Sequence, residues 1–193
     1  MNKQVKLECF CGKLKGTLQV ASNKPSFHVE CLCCDCQNFA AYLKQENRIL
    51  DKYGSTELFQ TYPSYIEFSE GSEQIACVKL TEKGLMRWYA SCCNSPIANT
   101  MSSSKIPFAG ISVKLMKFES ETEKESTLGP VIMKAFAKYA IGSKPQGSID
   151  RFPLSFIPKI LTFMAKGFLG RKYTPHPFFK QGTPVSLPKV LNP

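Results

Sequence analysis

Through the first two-thirds of the chain, apolar and polar residues alternate in short runs with a period close to two. Residues two apart on a strand share a face, so such runs predict half-buried strands. Lys13 to Val20 alternates loosely and ends at the turn-forming Ala21-Ser22-Asn23-Lys24-Pro25. Phe27 to Cys31, Leu58 to Tyr62, Tyr65 to Ser69, Ile75 to Leu80, Met86 to Ala90 and Ala109 to Val113 read the same way. Pro63-Ser64 and Glu70-Gly71-Ser72 separate consecutive runs as hairpin connections do. Strands at this spacing predict a mainly β fold of antiparallel strands, a sandwich or barrel rather than an α/β sheet.

Helical periodicity is rarer. Cys36 to Leu43 has good helix formers behind Asp35, which predicts two turns with Asp35 as N-cap. ESETEKEST, from Glu119 to Thr127, reads as an exposed loop or helix approach. Leu128 to Ala140 then predicts a helix with Pro130 in its first turn. Gly142 to Gly147 is a break, and Ile157, Ile160, Leu161, Met164 and Phe168 recur at helical spacing as one apolar stripe. The last residues are proline-rich and extended. This divides the chain into a β domain over residues 1–125 and a partly helical extension over 126–193, packing on the domain or on an oligomer partner.

Charge sharpens that division. Up to Leu128 there are 15 Lys/Arg against 14 Asp/Glu, whereas from Gly129 onward 10 Lys/Arg face only Asp150, which accounts for +9 of the net +10. The basic character therefore belongs to the extension. Its stripe has three readings: packing on the β domain, a homodimer contact, or basic amphipathic binding to an anionic membrane surface, with Phe163 interrupting the polar side. The start, MNKQVKLECFC, has no apolar signal-peptide core. Phe152 to Leu169 is broken by two prolines and two lysines, short of the ~20 apolar residues a membrane span needs. A soluble, cytoplasmic protein is expected.

In a reducing compartment, nine cysteines point to metal ligation rather than disulfides. Cys9-Phe10-Cys11-Gly12 puts two thiols on one side of an extended segment. Cys31-Leu32-Cys33-Cys34-Asp35-Cys36 repeats that arrangement and adds the Cys-x-x-Cys spacing of a zinc knuckle. Cys92-Cys93-Asn94-Ser95-Pro96 is a third element. Thiolates in groups of four suit Zn²⁺, so one or two zinc ions are predicted. Small buried hydrophobes or an iron–sulfur cluster are the other readings.

The order Cys9-x-Cys11-Gly12, Cys31-x-Cys33-x-x-Cys36, Cys93-Asn94-Ser95-Pro96 resembles the glutathione-dependent formaldehyde-activating enzyme and centromere protein V family, over about Val5 to Val113. The resemblance implies a β-tent zinc-binding fold. It implies a structural zinc on Cys9, Cys11 and Cys93, and a more open zinc on Cys31, Cys33 and Cys36. It also implies carbon–sulfur lyase activity on thiol adducts such as S-hydroxymethylglutathione, with glutathione as co-substrate. The chain departs from the family at Ala90 and Asn94, which replace a cysteine and a glycine, at Leu32, which replaces a histidine, and at the additional thiol of Cys34. Cys92 either supplies the fourth structural ligand, which requires a loop conformation at Cys92-Cys93, or reaches the other ion.

Other residues read more plainly. Cys77, Trp88 and Tyr89 are core candidates, and Trp88 and Tyr89 alternatively wall a pocket above the metal. His28 is a strand histidine or the orienter of a ligand. Asp35 is a turn residue rather than a base. His176 lies in a stretch that docks on the domain or covers a site. Two functions follow: an enzyme acting on a small thiol-containing molecule at an open zinc, or a non-catalytic zinc-stabilised module. The module's basic tail would meet nucleic acid, membrane or protein.

Overall fold

The structure, a computed structural model, describes residues 2–21 and 26–192; the turn expected at Ser22 to Pro25 lies outside them. The strands are β1 (Asn2–Glu8), β2 (Lys15–Ala21), β3 (Phe27–Cys31), β4 (Thr56–Thr61), β5 (Ile66–Glu70), β6 (Ile75–Thr81), β7 (Met86–Ala90), β8 (Ser95–Thr100), β9 (Ala109–Ser112), β10 (Met116–Lys117), β11 (Met133–Ala135), β12 (Phe179–Lys180), β13 (Thr183–Pro184) and β14 (Lys189–Asn192). The α-helices are α1 (Cys34–Leu43), α2 (Glu46–Ile49), α3 (Glu121–Leu128) and α4 (Ile157–Leu169). The fold is mainly β, with a C-terminal helix.

A four-stranded sheet in the order β10-β1-β2-β5 packs on an eight-stranded sheet in the order β11-β3-β4-β9-β8-β7-β6-β14. Val5, Leu7, Leu18 and Ile66 of the smaller sheet meet Phe59, Trp88, Ile97 and Ile111 of the larger in one apolar core. Alternation places these residues on the inner faces, and their burial is the main stabilising term of the sandwich. Cys77 and Trp88 are buried in this core. Half-buried Tyr89 packs edge-on against Tyr42 of α1 instead.

The pairing is antiparallel except at the two edges supplied by the extension. There β11 runs parallel to β3, with Met133 opposite Val29, and β14 runs parallel to β6, with Lys189 opposite Val78. Among the described residues seven strands lie outside the expected set: β1, β8, the short β10, and β11 to β14 of the extension. β1 begins with the chain, and β8 is buried along its whole length, so its Ser-Pro-Ile-Ala-Asn-Thr sequence carries no inside–outside alternation.

The helix expected over Leu128 to Ala140 is displaced toward the N-terminus. The helix is α3, within the polar stretch: the Ser120 hydroxyl caps it by accepting from the Glu123 amide at 3.1 Å, and the Glu123 carboxylate accepts from the Glu119 amide at 2.6 Å. This is close to a capping box, with the Glu123 carboxylate reaching the amide one residue before the N-cap. Gly129, at φ 75°, then ends it, and the following residues extend to pair with β3. In α1 the N-cap is Cys33 rather than Asp35, which sits in the first turn.

α4 is helical as its periodicity predicts, but the face it buries is not the expected stripe. Phe163 and Gly167 are buried within it, and Phe156 just before it, whereas Ile157, Leu161 and Phe168 are exposed. Phe163 therefore anchors the helix instead of interrupting its polar side. After the helix, Phe178 is fully buried and stacks on Trp88 at 4.9 Å between ring centroids. Nearby His176 accepts a bond from the Phe178 amide through Nδ1 at 3.2 Å, and burial holds its pKa down to about 4, in keeping with a neutral acceptor. Among the described residues no helix is long and apolar enough to cross a membrane.

Candidate metal centres

Hairpin geometry assembles the first thiol cluster. Cys9 and Cys11 lie in the turn from β1 to β2, where the Gly12 amide donates to the Cys9 carbonyl at 3.0 Å and Gly12 adopts φ 77°. A side chain disfavours that backbone region, so glycine fits the tight reversal behind Cys11. Cys92 and Cys93 lie in the turn from β7 to β8, where the Cys93 amide donates to the Ala90 carbonyl at 3.3 Å. The turn is held at Asn94, φ 55°, and is the loop conformation that lets adjacent cysteines point the same way. The Phe10 amide donates to the Ser95 hydroxyl at 2.6 Å and ties the two turns, which belong to different sheets.

The sulfur atoms converge. Cys9 to Cys11 is 3.6 Å, Cys9 to Cys92 is 3.8 Å, Cys11 to Cys92 is 3.4 Å and Cys92 to Cys93 is 3.8 Å. A tetrahedral zinc with Zn–S of ~2.3 Å has sulfurs about 3.8 Å apart, so the donor set fits that ion. Burial alone would raise the Cys93 thiol, but the Ser95 hydroxyl at 3.1 Å and bonds from Cys11 bring it down to about 6. Burial, with bonds from Cys11, Cys93 and Cys9, pushes Cys92 up. Only a cation lets all four thiols ionise together.

The second cluster forms where β3 runs into α1. Cys31 ends the strand, Cys33 caps the helix and Cys36 lies in its first turn, with the Cys36 amide donating to the Cys33 carbonyl at 3.0 Å. Cys31 and Cys33 are 3.3 Å apart, and all three sulfurs lie within 4.8 Å of one another. The helix N-terminus favours negative charge here. Bonds from Cys31 and Cys33 lower Cys36 well below the ordinary thiol range, while bonds to Cys33 and Cys36 push Cys31 up. Among the described residues no further His, Cys, Asp or Glu joins this group. Cys34 is exposed, with its sulfur 3.9 Å from the Asp35 carboxylate, and Leu32 is buried between the ligands.

One residue of this site has no motif to announce it. Arg87, on β7 and 3% exposed, places Nη1 3.9 Å from the Cys36 sulfur and 3.4 Å from the side-chain Oδ1 of Asn99. Its Nη2 is 3.5 Å from the Asp35 carboxylate. The only hint in the sequence is a cation inside the apolar run Met86 to Ala90. Space bounded by Cys36, Arg87, Asn99, Thr56 and Ser112 amounts to about 10 Å³, room for one water at most. Cys36 is thus enclosed on this side, while Cys31 and Cys33 are partly exposed.

Three thiolates and a divalent ion sum to one negative charge, which the buried guanidinium offsets. Arg87→Met, which keeps the bulk and removes the charge, is expected to weaken binding of added divalent metal at this cluster about tenfold or more. The four-cysteine cluster should be unaffected, and competition with a chromogenic chelator reads both affinities.

His28 takes no part in either cluster. It shares the face of β3 opposite to Cys31, buried, with Nε2 2.7 Å from Glu57 and Nδ1 2.8 Å from the Gly129 carbonyl. Lys124 of α3 completes this ionic group at 3.0 Å from Glu57. Cys77, buried and pushed up to about 12 by that burial, also stands apart.

A family model described as a family of unknown function, DUF6151, matches residues 1–188. Among solved structures, the chain is similar to a Rhodobacter sphaeroides protein that was a Northeast Structural Genomics target. The identity is 14% over 65% of this chain and 96% of that one, with a TM-score of 0.45. No curated protein matches.

Proposed function

The chain belongs to this family of unknown function, DUF6151, and from its two thiol clusters we propose a zinc protein with one structural and one reactive ion. Cys9, Cys11, Cys92 and Cys93 hold the first; Cys31, Cys33 and Cys36 hold the second. The observation that carries this division is ligand count: four thiols converge in one cluster and three in the other. Zinc with four protein ligands is closed, and zinc with three keeps a position for water or substrate. When bound at the second cluster it supplies Lewis acidity and favours the thiolate form of a substrate thiol.

The reaction we assign is carbon–sulfur bond making and breaking on a thiol adduct, with glutathione as the representative co-substrate. In the forward direction a thiol adds to formaldehyde: the sulfur–carbon bond forms, and the S–H proton ends on the former carbonyl oxygen. The motif order shared with the glutathione-dependent formaldehyde-activating and centromere protein V family supports this chemistry. Two departures from that pattern are absorbed locally. Cys92 stands among the four converging sulfurs, and Asn94 adopts the positive φ that a glycine would. Cys31 and Cys33 face the approaching substrate, while Cys36 and Arg87 close the back of the site.

The test is exchange NMR of isotopically labelled formaldehyde with glutathione, on protein whose zinc content has been measured. Two zinc ions per chain and accelerated adduct exchange, lost in Cys36→Ser, are expected. Exchange at the uncatalysed rate with both ions in place would sink the lyase reading. A single zinc per chain would remove the second site itself.

A further inference from the structure

Helix α4 is seated on the domain so firmly that its outward face is fixed. Phe163 stacks on Tyr62 with ring centroids 4.4 Å apart, and the Tyr62 hydroxyl donates to the Phe163 carbonyl at 2.7 Å. Gly167 lies so close to Pro107 and Tyr62 that a Cβ there would meet their side chains at 2.6 and 2.7 Å. A helix held at these two positions cannot roll its opposite face inward.

That opposite face is apolar. At about 100° per residue, Ile157, Leu161, Ala165 and Phe168 fall within an arc of about 80°. Leu161 is 63% exposed, and Leu154 before the helix and Leu169 at its end are 79% and 87% exposed. Burying them would remove a contiguous apolar surface from water, so their exposure marks an interaction face. On one flank, between Leu169 and the buried Phe163, lie Thr162, Lys166 and Lys159.

Charge identifies the partner. Residues 151–193 contain Arg151, Lys159, Lys166, Arg171, Lys172, Lys180 and Lys189 and no acidic residue. The nearest acid in sequence, Asp150, is paired with Lys144 at 2.7 Å. A second copy docked through this face would oppose lysine to lysine with no carboxylate from either segment between them. Nucleic acid would meet the cations but leave the leucines unsatisfied. A surface offering negative headgroups above an apolar layer meets both requirements.

We propose that α4 and the turn before it dock the protein peripherally on an anionic phospholipid membrane. Leu154, Ile157, Leu161, Phe168 and Leu169 enter the acyl boundary, and Lys159 and Lys166 contact headgroups. The helix lies in the plane of the surface and spans nothing. This inference stands independently of the chemistry assigned to the thiol clusters.

The test is co-sedimentation of the full, zinc-loaded chain with vesicles of phosphatidylcholine alone and of phosphatidylcholine mixed with phosphatidylserine. Binding to the mixed vesicles is expected to exceed binding to the neutral ones about tenfold and to weaken as salt is raised. Leu161→Asp with Leu169→Asp should lower it about tenfold or more without moving the thermal midpoint, because both side chains are exposed. Lys159→Glu with Lys166→Glu should reduce only the part that depends on phosphatidylserine. Absence of binding to the mixed vesicles overturns the proposal, as does equal binding by the leucine variant. A concentration-dependent dimer abolished by the same leucine changes, with no vesicle binding, would instead make this face a contact between copies. Salt-sensitive binding to an oligonucleotide without vesicle binding would overturn the proposal in favour of nucleic acid.

Discussion

A Cys9→Ser variant is expected to lose one zinc per chain and, with it, cooperative folding. Cys9 is fully buried, its sulfur lies 3.6 Å from Cys11 and 3.8 Å from Cys92, and the Leu14 amide donates to it at 3.3 Å. The site joins the β1–β2 turn of one sheet to the β7–β8 turn of the other, so an ion held there would cross-link the sandwich at one end. Structural zinc contributes about 10–16 kcal/mol in small zinc domains, whereas a whole domain is stable by about 5–15 kcal/mol. Losing even half of the metal's contribution therefore removes most of the fold's margin. Cys36→Ser provides the contrast: it should lose the other zinc and remain folded, since β3 and α1 stay anchored by β4, β11 and the apolar face of α1. Thermal unfolding followed by circular dichroism, with zinc counted in each protein, measures both. Equal losses of thermal stability in the two variants would abolish the distinction between a structural and a reactive site.

How much of this could be read from the chain depended on whether the information was local. The β4 to β7 runs carry enough apolar–polar alternation to read as strands, although adjacent residues such as Leu58 and Phe59, Cys77 and Val78, and Arg87 and Trp88 are buried on opposite faces. β8 is buried on both faces, so alternation had nothing to report. Thiol spacing identified both clusters, but whether Cys92 joins Cys9 depends on the turn around Asn94 and on a partner turn more than eighty residues away in sequence. Arg87 is invisible for the same reason: its meaning comes from Cys36 across the packed layers, not from its neighbours in β7.

The two displaced helical readings have distinct causes. Composition favoured a helix after Leu128, but Gly129 and the open edge of β3 captured those residues as a parallel strand. In α4 the sequence is apolar around most of its circumference, so periodicity established a helix without establishing which side faces inward. Tyr62 and Pro107, remote in sequence, settled that question through Phe163 and Gly167.

Phe178→Ala is expected to destabilise the protein by about 3–5 kcal/mol, a cost seen when a large aromatic is deleted from a close-packed interior. The Phe178 ring is fully buried, stacks on Trp88 at 4.9 Å with planes 15° apart, and meets Phe68 at 5.9 Å. Trp88 belongs to the eight-stranded sheet and Phe68 to the four-stranded one, so this residue of the extension fills space that both sheets line. Its backbone is fixed as well: its amide donates to His176 Nδ1 at 3.2 Å, and its carbonyl accepts from the Val185 amide at 3.0 Å. An alanine there would leave a cavity that Trp88, itself pinned by a 2.8 Å bond from its indole N–H to the Thr100 hydroxyl, cannot close. Leu187→Ala, at a position 79% exposed, should change stability by no more than about 0.5 kcal/mol. Urea unfolding of both variants measures the difference. A Phe178→Ala loss as small as that of Leu187→Ala would mean that the extension is appended to the sandwich. The expected loss instead makes it part of the core, and the outward face of α4 is then carried by a rigid platform.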